Sequence, residues 1–192
     1  MELQYALRNR RTVRLFNQQP IADNDLYTML EAAQASSSGG NTQPLRYVVI
    51  KTPEFVEKVF LQCRFAALVQ PKRNPRWGVD APTAFIAVTV EHAEPTPVDY
   101  AVCGGAIMSM QFAAFSLGLG CCWIGAFDKN KVREILRLEG KEEILFLVAV
   151  GHPAEKPVLE WIEADGDIKY YLDGDDTLHV PKRRPDAVSR RL

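Results

Sequence analysis

Histidine and cysteine are scarce in this chain of 192 residues, three and four respectively, and neither falls into a pattern. His92, His152 and His179 lie too far apart to suggest a metal site. Cys63, Cys103, Cys121 and Cys122 match neither a spaced zinc framework nor a secreted disulfide scaffold. No metal centre is expected, and the thiols read as reduced, packed apolar groups, including the adjacent pair Cys121-Cys122 between Leu119 and Trp123. Catalytic signatures are missing too: no His-Glu-x-x-His, no Gly-x-Ser-x-Gly, no Gly-x-x-x-x-Gly-Lys and no Gly-x-Gly-x-x-Gly. Net charge is only -1, and the arginine clusters lack the interleaved aromatics of a single-strand stacking platform, so nucleic acid is not an expected partner. Long apolar runs are absent as well. Residues 101–119 come nearest to the roughly 20 residues of a membrane span, but Gly104, Gly105, Ser109, Gln111 and Ser116 interrupt them. The opening Met-Glu-Leu-Gln-Tyr has neither the basic nor the apolar region of a signal peptide, so the chain is expected in the cytoplasm. Its uniform composition suits one domain over residues 1–192.

Two segments near the start stand out against this background. Arg10-Arg11-Thr12-Val13-Arg14 concentrates three guanidinium groups and a hydroxyl, and guanidinium forks suit phosphate and carbonyl oxygens. Ser36-Ser37-Ser38-Gly39-Gly40-Asn41-Thr42-Gln43-Pro44 is too rich in Ser, Gly and Asn for regular structure, and it permits close backbone approach to a ligand. A plain solvated arginine cluster and a plain turn are the simpler readings of each alone; their occurrence together points to an anion clamp and a binding loop. Charge is unevenly distributed: Arg8, Arg10, Arg11 and Arg14 make the start basic, Lys182, Arg183 and Arg184 the end, and 155–176 is acidic. The basic ends either converge on one phosphate or pair with the acidic stretch, while Arg190 and Arg191 read as solvated. A binding site without catalytic side chains fits a protein whose cofactor carries the chemistry.

Local pattern supplies a scaffold. Asp23 is a plausible N-cap, followed by Leu26, Met29, Leu30 and Ala33 at helical spacing. Residues 46–51 and 84–90 read as buried strands, with helical character over 54–69 between them. Residues 71–82 read as a loop whose Arg73, Arg76 and Trp77 are either exposed or lining something. A long helix over 99–117, apolar nearly all round, is expected to be buried on most sides. A short strand at 121–125, a helix over 129–138 and a strand at 144–150 complete an α+β, three-layer α/β/α arrangement around a central mixed sheet.

Across most of its length the chain resembles the flavin mononucleotide (FMN)-dependent nitroreductase family. The resemblance rests on Arg10-Arg11-Thr12-Val13-Arg14, Ser38-Gly39-Gly40-Asn41-Thr42-Gln43-Pro44, Ala81-Pro82, Gly118-Leu119-Gly120 with Trp123-Ile124-Gly125, Val148-Ala149-Val150-Gly151-His152-Pro153, and Pro181-Lys182-Arg183-Arg184-Pro185. Pro44 is followed by Leu45 where the family usually has Trp. The segment 159–180, with its alternating Ile168, Tyr170 and Leu172, is longer than in the best-known members and reads as hairpin-like.

The resemblance implies an intertwined homodimer that binds FMN in shared sites. Arg10, Arg11, Thr12 and Arg14 are implied to hold the phosphate, ribityl chain and pyrimidine edge, with Lys182 and Arg184 closing on the phosphate. Ser37, Ser38, Gly39, Gly40 and Asn41 are implied to come from the other subunit, and the backbone of Ile124 and Gly125 to face flavin N5. The implied activity is hydride transfer from NADH or NADPH to a nitroaromatic, a quinone or a similar small-molecule acceptor, by a ping-pong course. A flavin destructase or reductive dehalogenase of the same fold, or a non-catalytic flavin-binding sensor, are the alternatives.

Overall fold

The seven residues Ala84–Val90 are all buried, which requires cover on both faces of whatever sheet they enter. The computed structural model describes residues 2–65 and 67–191 and provides that cover. In chain order the elements are α1 (Leu3–Asn9), β1 (Phe16–Asn17), α2 (Asp23–Gln34), β2 (Leu45–Ile50), α3 (Pro53–Phe60), β3 (Ala84–Val90), α4 (Pro97–Ser116), β4 (Gly120–Ile124), α5 (Lys129–Leu136), β5 (Glu143–Pro153), β6 (Val158–Ile162), β7 (Tyr171–Leu172) and β8 (Leu178–Arg183). β5 pairs with β3 along one edge and with β4 and β1 along the other, and β2 lies outside β3. Side chains alternate across the sheet. Ile86, Val88 and Val90 join Leu26, Met29 and Ala33 of α2 and Cys103, Ile107 and Met110 of α4 in one core. Phe85 and Ala87 join Val56 and Val59 of α3 and Val132 of α5 in the other. Val88 faces Phe146 but Thr89 faces Ile144, so Leu145 is the extra residue of a bulge; Leu145 and Phe146 then pack on the same side.

The α+β three-layer arrangement is the expected one, but several details differ. Every described pairing in the main sheet is antiparallel rather than mixed. The parallel pair lies in a second, small sheet, where β6 runs alongside β8 and β7 pairs antiparallel to β8. The segment read as a hairpin is therefore a three-stranded unit. Asp23 is the first helical residue of α2, not its cap; Ala22 occupies the cap position, and the Asp23 carboxylate pairs with Lys51 at 2.5 Å. Helix α3 stops at Phe60, well short of residue 69, because the following backbone bonds elsewhere: Arg64 N–H donates to the Ala126 carbonyl, and Asp128 N–H to that of Gln62.

Helix α4 starts at a capping box in which Thr96 and Asp99 satisfy each other's backbone N–H groups. It is long and apolar enough, by length and composition, to cross a membrane, which corrects the expectation that no stretch reaches that size; 44% of an apolar 18-residue stretch of it is buried within the chain. Val102, Cys103, Ala106, Ile107, Met110 and Ala114 form its buried stripe, whereas Val98, Tyr100 and Met108 are exposed. Burial on most sides is thus not achieved within one chain.

Candidate functional site

The arginine segment is set by packing at Val13 and Phe16. Gly120 of β4 stands opposite Gly151 of β5. A Cβ on Gly120 would lie 2.8 Å from the Val13 side chain, and one on Gly151 would lie 2.7 Å from the Phe16 ring. The two side chains therefore fill a gap that only paired glycines leave. Backbone bonds complete the fit: Val13 N–H donates to Cys121 at 3.0 Å, and Ala154 N–H to Leu15 at 2.9 Å.

Arg10 and Arg11 follow the end of α1. Arg10 donates Nη1–H to Gln111 at 2.8 Å and lies over the Phe112 ring, 5.7 Å from its centroid. Arg11 donates Nη2–H to the Leu7 and Arg8 carbonyls, groups that the helix end leaves without partners. Burial lowers the pKa of both guanidinium groups. Their Nε atoms are buried and have no hydrogen-bond partner among the described residues. Both arginines line a cavity of about 900 Å³, together with Tyr5, Arg8, Gln111, Phe115, Gly118–Cys121 and Pro153–Leu159. That volume suits a nucleotide-sized ligand. Buried N–H donors call for acceptors, and an anionic oxygen is the strongest available.

Arg14 is held differently. Its backbone N–H and that of Leu15 both donate to Oε1 of Glu155, at 2.5 and 3.2 Å. Oε2 of Glu155 accepts from Nε of Arg73 at 2.9 Å. The Arg73 and Glu155 side chains are only 6% and 5% exposed, and losing one partner of such a buried pair costs about 3–5 kcal/mol. Arg73 also donates Nη1–H to Asp176 at 3.1 Å. The Arg14 guanidinium lies over the ring of Tyr170, 5.0 Å from its centroid. Arg73, whose sequence context fits either exposure or a lining role, is a buried link, and neither Glu155 nor Tyr170 carries a sequence signal of a site. Glu155 sits in a polar turn after His152-Pro153, where nothing in the local pattern announces burial.

The other predicted residues occupy separate places. Thr12 is half-buried between Arg11 and Val13. Ser37 and Gly39 edge a groove against Pro97, Val98, Ala101 and Val102 of α4. Ser38 accepts from Gln43 N–H at 3.2 Å, and Gly40 and Asn41 form a short turn with positive φ of 59° and 54°. Ile124 is buried in the α3/α5 core, and Gly125 is exposed just beyond β4, with room for no more than a tight contact to Phe146. Lys182 and Arg184 are exposed; Arg184 pairs with Glu163 at 3.1 Å, and neither lines the Arg10–Arg11 cavity. Within one chain, among the described residues, Arg10 and Arg11 share one cavity and Ser37 and Gly39 share a separate groove, while Arg14, Ile124, Gly125, Lys182 and Arg184 line neither. All four cysteines are free, and burial pushes Cys63, Cys103 and Cys121 up to about 12 and Cys122 up to about 11, as packed thiols require. No cluster of metal-ligating side chains occurs among the described residues.

A sandwich of helices around an antiparallel sheet, with a cavity lined by two guanidinium groups, defines a class of α+β proteins. The chain belongs to the Nitroreductase family, whose model matches residues 7–152. It is 28% identical to the FMN reductase (NADPH) of Bacillus subtilis, with 94% of this chain and 79% of that protein aligned. It is 27% identical to the NADH dehydrogenase of Thermus thermophilus, covering 81% of this chain and 89% of the other. The fold superposes on a Clostridium difficile FMN-dependent nitroreductase with a TM-score of 0.68 at 20% identity, over 90% of this chain and 99% of that one. A Desulfovibrio desulfuricans structure in complex with FMN matches at a TM-score of 0.66 and 25% identity, over 81% and 88% of the two chains.

Proposed function

We propose that this chain is an FMN-dependent oxidoreductase that takes hydride from NADH or NADPH and passes it to a small acceptor such as a nitroaromatic or a quinone. The observation that carries the proposal is the pair of adjacent, buried guanidinium Nε donors without partners beside a cavity of about 900 Å³. The names of the relatives, FMN reductase (NADPH) and NADH dehydrogenase, point the same way. Bound FMN would supply reversible two-electron hydride chemistry, which the chain's own side chains do not offer. Arg10, Arg11 and Thr12 are assigned to the phosphate and ribityl chain, and Arg14 to the pyrimidine edge, where a cation favours the reduced, anionic ring. Ile124 and Gly125 would offer backbone N–H groups to the ring. Ser37, Ser38, Gly39, Gly40 and Asn41 lie away from the arginine cavity, so they are assigned to the site of a second copy in a homodimer. Lys182 and Arg184 are assigned to the phosphate as well, which requires Arg184 to exchange Glu163 for it.

The absorbance spectrum of the purified protein, with identification of any released flavin, tests this reading. Turnover of NADH or NADPH with a quinone should then give parallel double-reciprocal lines at several acceptor concentrations, because donor and acceptor use the site in turn. A colourless protein that does not take up FMN would overturn the assignment.

A further inference from the structure

The small sheet β6–β8–β7 lies wholly beyond residue 152, where the match to the family ends, yet it reaches back onto the arginine segment. Tyr170, between β6 and β7, puts its ring over the Arg14 guanidinium at 5.0 Å, and its hydroxyl accepts from Leu68 N–H at 3.3 Å. Asp176, in the turn before β8, is gripped by Arg73 through both its carboxylate and its carbonyl, and Lys72 adds a pair at 3.4 Å. The same Arg73 holds Glu155, which fixes the backbone of Arg14. Arg14 is therefore clamped from behind and covered in front, and one buried guanidinium links the clamp to the cover. Such a segment is a fixed cover rather than a free flap.

A planar cation with an aromatic ring on its face is already engaged as it would be by a planar aromatic ligand. We propose that Tyr170 is a specificity-determining residue: it shares the space around Arg14 with incoming molecules, admits small acceptors and disfavours extended polycyclic ones. This rests on the assignment of Arg14 to the flavin edge for its consequence in turnover, but the cover itself is testable without flavin.

The first measurement treats the flavin-free chain with phenylglyoxal, a guanidinium-directed dicarbonyl, and reads Arg14 labelling by peptide mass spectrometry. Tyr170→Ala should label at least about threefold faster than wild type, the order of effect expected when a cation–π contact is lost, whereas Tyr170→Phe should label as wild type does. The second measurement compares kcat/KM for a benzoquinone and for a polycyclic quinone. Tyr170→Ala should raise the polycyclic-to-small ratio, Tyr170→Phe should leave it unchanged, and the larger Tyr170→Trp should lower it, an arm that does not depend on the Ala variant folding. Equal Arg14 labelling in wild type and Tyr170→Ala, or a ratio that does not follow ring size, would overturn it. A wild-type chain that binds no FMN would refute the functional reading, while the labelling would still decide the cover.

Discussion

Arg10 and Arg14 are four positions apart but face different parts of the molecule: Arg10 meets Gln111 and Phe112 of α4, and Arg14 meets Tyr170 of the small sheet. Their charges act on adjacent thiols of β4, Arg10 on Cys121 and Arg14 on Cys122, which belong to opposite cores. Their substitution should therefore have separable effects. Arg10→Ala removes a charge beside the cavity and should lose flavin on dilution, with recovery in excess FMN. Arg14→Ala should retain flavin better but lower its reduction potential. A charge-assisted contact is worth about 1.5–3 kcal/mol, and at about 30 mV per 1.4 kcal/mol for a two-electron couple the fall is about 30–65 mV. Redox titration against a reference dye measures it, and an unchanged potential would remove Arg14 from the ring. Arg10 and Arg14 stand out in the sequence by residue type and spacing. Glu155 was not, because its burial comes from Arg73, 82 positions away, and from two backbone N–H groups of a distant segment.

β4 and β5 owe their role in the site to what they lack. The facing glycines Gly120 and Gly151 leave room for Val13, which is 6% exposed, and Phe16, which is fully buried. Adding a methyl at either position forces overpacking, which costs about 1–3 kcal/mol. Gly120→Ala and Gly151→Ala should lower the unfolding free energy by that amount, read as a lower urea midpoint, and weaken FMN retention together, since a shifted Val13 carries Arg10, Arg11 and Arg14 with it. Normal FMN affinity in a Gly120→Ala chain of reduced stability would show that the anchoring does not govern the site. Helix α3 makes the converse point. Its apolar spacing continues past Phe60, but the helix ends at that residue and Cys63 just beyond bridges to Phe127.

Helix α4 buries one stripe and leaves Val98, Tyr100 and Met108 exposed, and Val98 lines the groove edged by Ser37 and Gly39. α1 adds Leu3, Tyr5 and Leu7 to the exposed apolar surface. A second copy would cover such faces and bring a Ser37–Asn41 loop to an arginine site, so light scattering should report a dimer at low protein concentration. Met108→Glu should shift the chain toward monomer and release flavin in parallel. A flavin-loaded monomer would refute the shared site.

Local pattern was enough for strand β3, because an unbroken apolar run has no other stable place, and nearly enough for α4, whose cap is written in Thr96 and Asp99. It also drew out the arginine segment and the Ser-Gly-Gly-Asn loop, since clustered guanidinium groups suit oxygen-rich ligands and Gly and Asn permit tight backbone turns. Tertiary structure alone decided the rest. Whether Asp23 caps a helix or pairs with Lys51 depends on where β2 ends, and whether residues 158–183 form a hairpin or a sheet with a parallel pair depends on a strand pairing about twenty residues apart. The Arg73–Glu155 link and the Tyr170 cover arise only when four distant segments meet, and Arg73 and Glu155 pair because both are buried, where an unpaired charge is too costly to tolerate.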